Sequence, residues 1–146
     1  NADPREPQCC GEETAAELGP NCIPLPMDVS TVDGCKALAA KLAEHEDHLD
    51  ILVKNAGAAW GVPFEDFPES GWDKVMDLNV KSPFFLTQAL HGALKAAASA
   101  DKPAKVINIT SIDGQRLNPW ETYSYHASKS ALIYLTKRSV YANKEH

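Results

Sequence analysis

The chain has 146 residues, enough for one domain. Fourteen Lys and Arg against twenty Asp and Glu leave a formal charge of −6. That argues against a nucleic-acid binder, because neutralising phosphates takes a clustered basic excess. Hydrophobic residues make up 44% and charged residues 23%, ordinary globular usage, and no apolar run approaches the roughly 18 residues that span a bilayer. Asp3, Pro4, Arg5, Glu6 and Pro7 interrupt any signal-peptide core. The expectation is a cytoplasmic chain with Cys9, Cys10, Cys22 and Cys35 as reduced thiols. No C-x-x-C pair or histidine spacing suggests a metal site.

Residues 12–18 read as the end of a helix stopped by Gly19-Pro20. Cys22 to Met27 is a short extended run, and its two prolines suit an edge strand. Ser30-x-x-Asp33 has the form of a capping box, and Val32, Cys35, Leu38, Ala39 and Leu42 then recur at helical spacing. Leu49 to Val53 reads as the next strand, ending at Asn55-Ala56-Gly57.

After a loop rich in Pro and aromatics, Ser70-x-x-Asp73 predicts another helix start. That helix is expected to run from about Trp72 to Ala98, with a kink or break at Pro83. Lys105 to Thr110 is nearly continuously apolar, which suits a parallel strand covered on both faces. Asn108-Ile109-Thr110 matches a glycosylation pattern but lies inside that run and reads as buried strand. A last helix is expected to begin near Glu121.

This alternation implies right-handed crossovers and a parallel sheet, with chemistry at the carboxyl ends of the strands. Those ends are Asp28-Val29, Asn55-Ala56-Gly57 and Thr110-Ser111. Tyr125 and Lys129 stand four apart, on one face of a helix. A nearby ammonium favours the phenolate, so the pair is a plausible acid–base device for making or breaking an alcohol. Tyr134 and Arg138 share the spacing without comparable company.

Order and company sharpen this reading. The N-A-G turn, Asn79 in the following helix, Ser111 at a strand end and the Y-x-x-x-K pair occur in one sequence. From about Cys22 to Leu135 the chain resembles the short-chain dehydrogenase/reductase family. The resemblance implies an α/β fold, a Rossmann-type doubly wound parallel sheet. It also implies interconversion of a secondary alcohol and a ketone with NAD(H) or NADP(H) and no metal. The family's catalytic positions fall on Asn79, Ser111, Tyr125 and Lys129. Its cofactor-lining positions fall on Asp28, Val29, Asn55, Ala56 and Gly57, together with Tyr125 and Lys129. Plain alternatives stand beside these: Asp28 as a helix cap, Asn79 as a surface residue, Ser111 and Asn55–Gly57 as turn residues. The resemblance further implies a small-molecule substrate, of 3-oxoacyl type by the run Ile109–Gly114 with Glu121–Tyr125, and a homo-oligomer.

Three departures accompany the resemblance. None of the glycines forms the phosphate-cradling turn of a first strand and helix. The sequence ends soon after the Tyr–Lys helix, and Lys54 stands where the family usually has a further Asn. The sheet is therefore expected to be incomplete, lacking its first two and its C-terminal strands, with residues 1–146 as a single partial dinucleotide-binding and catalytic domain. Open strand edges are the expected consequence. The second reading is a catalytically silent fragment that associates through the helices at 70–98 and 121–141.

Overall fold

A computed structural model describes residues 7–142, with side chains described from 11 to 139. The side chains of Cys9 and Cys10, and the residues beyond 142, lie outside that range. Helix α1 (Pro7–Leu18) is followed by Gly19 at φ 90°. Its N–H donates to Ala15 O at 3.0 Å and its carbonyl accepts from Cys22 N–H at 3.0 Å. Only glycine takes that left-handed φ without steric cost, so the predicted stop is where the chain turns.

The run from Cys22 to Met27 forms no strand. Pro24 and Pro26 remove two ladder donors, and the segment shares a cleft with Lys41, Glu44 and His45 at the end of α2 (Val32–Ala43). The predicted capping box is also shifted by one residue. Thr31 is the N-cap, its Oγ1 accepting from Gly34 N–H at 3.0 Å, while Ser30 N–H donates to Asp28 Oδ1 at 2.9 Å.

Strands β1 (Ile51–Lys54) and β2 (Lys105–Asn108) pair in parallel, with Leu52 opposite Val106 and Lys54 opposite Asn108. The Lys105 N–H bond to Asp50 O and the Ile109 N–H bond to Lys54 O extend the ladder at both ends. The helix expected from Trp72 to Ala98 starts earlier and is broken. It comprises α3 (Glu69–Met76), a π turn (Asp77–Lys81), α4 (Ser82–Ala89) and α5 (His91–Ala97). No side chain caps α3, so the predicted Ser70 start is replaced by Pro68 at the N-cap. Pro83 has no N–H to return to Asn79 O. The wider turn absorbs this one residue upstream, with Ser82 N–H reaching back to Asp77 O. Helix α6 (Tyr123–Ala142) closes the order.

The core lies on one face of the sheet. Cys35, Leu52, Leu86, Leu90 and Leu94 are buried together, with Val29, Leu38, Leu42 and Phe85 packed around them. The opposite face carries Ile51 and Val53, 51% and 53% exposed, with Ile107 and Ile109 also exposed. A strand pair covered on both faces was the expectation; among the described residues only one face is covered, because all the helices that pack on it lie on Leu52's side.

Helix α2 enters against its own preceding loop. A Cβ at Gly34 would stand 1.7 Å from the Asp28 carbonyl oxygen, whereas one at Gly92 in α5 would meet nothing within 4 Å. Gly34→Ala is expected to destabilise the chain by about 1–3 kcal/mol through forced backbone movement. Gly92→Ala should be neutral or stabilising by roughly 0.5–1 kcal/mol through helix propensity. Urea unfolding of the two variants checks the contrast, and equal midpoints would contradict it.

Candidate active site

The site is organised around one buried amide. Asn79, 1% exposed, sits in the π turn. Its Oδ1 accepts from Ala58 N–H at 2.8 Å, and its Nδ2 donates to Ala58 O and to Ser128 Oγ, both at 2.9 Å. Ser128 Oγ in turn donates to Tyr125 O at 2.8 Å. The bonds consume both amide hydrogens and fix which end of the group is oxygen. Asn79 is therefore not the surface residue of the plain alternative. It ties the loop after β1 to the second turn of α6.

Tyr125 and Lys129 lie on successive turns of α6. Lys129, 6% exposed, donates from Nζ to Ile109 O at 2.9 Å, and the same ammonium lies 5.6 Å from the Tyr125 ring centroid. Burial pushes the Lys129 pKa down from its ordinary value. Ser111 follows β2 and heads the 3-10 turn Ile112–Gly114, its Oγ accepting from Asp113 N–H at 3.2 Å. That turn rests directly on α6. A Cβ at Gly114 would approach Lys129 C and O to 2.8 and 2.9 Å, and Ser130 Oγ donates to Gly114 O at 2.7 Å. Ser111 is thus carried on the segment that touches the Lys129 turn.

The Asn55-Ala56-Gly57 turn is exposed at the end of β1. A Cβ at Gly57 would stand 3.4 Å from Asn79 Oδ1 and 3.9 Å from Lys129 Nζ. The structure so brings Gly57, Asn79, Tyr125 and Lys129 together. The described contacts of Asp28 and Val29 are to the loop and helix that follow them. The hydrogen bonds from Ser30 hold the Asp28 carboxyl below its usual range, and Val29 O accepts from Cys35 Sγ at 3.4 Å. Asp28 does not cap the helix as the plain alternative had it: its carboxylate accepts from Ser30 N–H in the preceding loop, and Thr31 is the cap.

Sequence reasoning missed Ser128 and the Ala58 backbone. Ser128 was visible only as a small polar residue three after Tyr125. Lys54, which stands where the family usually has a further Asn, turns beneath α4. Its Nζ donates to Pro83 O at 2.8 Å and to Thr87 Oγ1. Two-residue strand periodicity carried the signal, since Lys54 shares a face with buried Leu52. Burial pushes its pKa down to about 8.

Comparison with known proteins adds the lineage. The family described as short chain dehydrogenase matches residues 3–145. The chain belongs to the short-chain dehydrogenase family. A rhamnolipids biosynthesis 3-oxoacyl-[acyl-carrier-protein] reductase of Pseudomonas aeruginosa is 43% identical over 135 residues, 91% of this chain and 52% of its own length. The solved Pseudomonas aeruginosa RhlG/NADP active-site complex superposes with a TM-score of 0.82 at 42% identity, covering 90% of this chain and 52% of that one. NADPH-bound carbonyl reductase from chicken fatty liver gives a TM-score of 0.85 at 30% identity, covering 99% of this chain and 61% of that one. The chain therefore has the Rossmann-like fold of this family and spans about half the length of the curated relatives it matches. No helix among the described residues is long and apolar enough to cross a membrane.

Two measurements follow from the site's geometry. Asn79→Ala removes three hydrogen bonds and leaves the Ser128 hydroxyl without its donor, so a loss of roughly 1–3 kcal/mol in unfolding free energy is expected. A loss below experimental error would contradict the clamp. Lys54 has its folded pKa near 8 against 10.5 for the free side chain. Between those values the unfolded chain holds the extra proton, so this group makes stability rise with pH from about 8 to 10.5 and contributes no stabilisation below 8. Urea unfolding at several pH values should show Lys54→Met losing part of that rise.

Proposed function

We propose that the chain carries the catalytic half of an NAD(P)-dependent oxidoreductase that interconverts a secondary alcohol and a ketone. The observation that carries this reading is the Lys129 ammonium, held by Ile109 O at 2.9 Å and lying 5.6 Å from the Tyr125 ring. In that position it stabilises a phenolate on Tyr125.

The residues present suit the nicotinamide end of such a cofactor. The N-A-G turn is open to a ligand, and the absence of a Cβ at Gly57 leaves room beside Lys129 Nζ and Asn79. Lys129 uses one described hydrogen bond, to Ile109 O, so its remaining N–H groups can hold ribose hydroxyls. Asn55, Ala56 and Gly57 would line the cofactor, with Asp28 and Val29 toward the adenine. When bound, the nicotinamide supplies or takes the hydride at the substrate carbon. In the reducing direction Tyr125 gives its phenolic proton to the carbonyl oxygen, and Lys129 stabilises the phenolate left behind. Ser111 Oγ donates a hydrogen bond to the same oxygen and stabilises the charge that develops there. The Asn79 carbonyl, which Pro83 deprives of its α-helical donor, would hold a water that returns a proton toward Lys129.

An apolar substrate fits the surroundings. Ile112, Leu117 and Trp120, between Ser111 and Tyr125, are 59%, 96% and 69% exposed. Phe64 and Phe67 meet Tyr123 edge-on at 5.6 and 5.7 Å, along a cleft of about 260 Å³. With the similarity to a 3-oxoacyl reductase, these residues support a 3-oxoacyl-type ketone.

Titration of NADH and NADPH, followed by nicotinamide fluorescence, tests the reading. Saturable binding of one or both is expected, and no binding by a folded chain would overturn it. Tyr125→Phe should lower turnover at least ~100-fold, the usual scale for a positioned proton donor, with cofactor affinity within about twofold. Retained turnover would remove Tyr125 from the role assigned to it.

A further inference from the structure

The segment between Ser111 and Tyr125 is held in place by its own side chains. Ser111 Oγ accepts from Asp113 N–H at 3.2 Å, Asp113 Oδ1 accepts from Asn118 Nδ2 at 2.8 Å, and Asn118 Oδ1 accepts from Trp120 N–H at 2.9 Å. Consecutive hydrogen bonds thus lead from the Ser111 hydroxyl to the backbone of Trp120. Ser130 Oγ, donating to Gly114 O at 2.7 Å, anchors the same segment to α6.

Asn118 is the link between the two halves of this segment. It spends an amide hydrogen on one side and its carbonyl on the other. The bond to the Asp113 carboxylate is charge-assisted, which makes it stronger than a bond between neutral groups. Pro119 fixes its own φ and restricts Asn118 to extended backbone, so the turn that brings Trp120 N–H to the Asn118 carbonyl is preformed. Asp113 and Asn118 are half-buried, whereas Leu117 and Trp120, on either side of Asn118, are 96% and 69% exposed. The polar residue turns into the loop, and its apolar neighbours face outward, available to a ligand.

We propose that Asn118 is a positioning residue for the tail of the substrate. Tied to the Ser111 turn through Asp113 and to Trp120 through its backbone N–H, it keeps the indole at a fixed distance from the Ser111 hydroxyl. The inference rests on the oxidoreductase reading above. Asn118 touches neither cofactor nor reacting atoms. It acts through Trp120, against which a long acyl tail lies while the ketone oxygen sits at Ser111. A short acyl ketone ends before the indole and gains nothing from it.

The test compares ethyl 3-oxodecanoate with ethyl 3-oxobutanoate, titrated into the NADPH-loaded chain and read at the Trp120 indole resonance, with turnover measured alongside. The parent is expected to bind the long ester about tenfold more tightly, the gain from burying roughly two methylenes. Asn118→Ala should abolish that preference by raising KM for the long ester, with kcat for the short ester within about twofold. Asn118→Asp sets two carboxylates against each other and should have the same effect. Adding Asp113→Asn to it again pairs a donor with an acceptor and should restore the preference, which a side chain that merely filled the loop would not do. If Asn118→Ala does not fold, this exchange decides. Amide exchange at Trp120 reads the link without any ligand: protection is expected in the parent and the double variant, and loss of protection in Asn118→Ala and Asn118→Asp. An unprotected Trp120 amide in the parent, or the same length preference in parent and Asn118→Asp, would overturn the inference and leave the oxidoreductase reading standing. Binding of neither ester would overturn both.

Discussion

One buried carboxamide holds the candidate site together. Asn79 gives every hydrogen-bonding group of its side chain to the fold, two bonds to the Ala58 backbone and one to Ser128. In a low-dielectric interior such a fully satisfied polar group favours one arrangement over its alternatives, because each neighbouring arrangement strands a donor or acceptor. The consequence is geometric. The loop that follows β1 and the helix that carries Tyr125 and Lys129 cannot move independently. The Gly57 backbone is kept beside the Lys129 ammonium.

The placement of that amide depends on local backbone chemistry one turn away. Pro83 lacks an N–H, and the chain answers with a π turn at Asp77–Lys81, which re-aims the residues it contains relative to a regular helix. On the other flank, the missing Cβ of Gly114 lets the turn after β2 rest on the Lys129 backbone. Two contacts thus seat three segments of chain around α6: Asn79 from one side, Gly114 from the other. The sheet contributes less, since β1 and β2 are four residues each and one of their faces is exposed.

Much of this was legible in the sequence, and the failures have physical reasons. Gly19 follows from a local signal, a left-handed turn residue, and the parallel pairing of two apolar runs follows from the alternation of strands and helices. The order of N-A-G, Asn79, Ser111, Tyr125 and Lys129 pointed to one site, although spacing alone could not reveal the Asn79–Ser128 bond. Proline at position 83 forecast a break without revealing that the compensation would be a wide turn upstream. The run from Cys22 to Met27 looked like a strand because extended propensity is local, whereas a strand needs a partner. Lys54 was legible only as a departure from the family's Asn, while strand parity places it with Leu52. Its four-carbon stem reaches the Pro83 carbonyl, which meets the ammonium where water would otherwise do so.

The central claim is that Asn79 locks the loop after β1 to α6. Amide hydrogen exchange at Ala58 reads that lock directly, because the Ala58 N–H donates to Asn79 Oδ1 at 2.8 Å. The expected result is strong protection at Ala58 in the parent chain, lost in Asn79→Ala while β1 amides keep theirs. Exchange of the parent Ala58 amide at the rate of an unstructured loop would contradict the account.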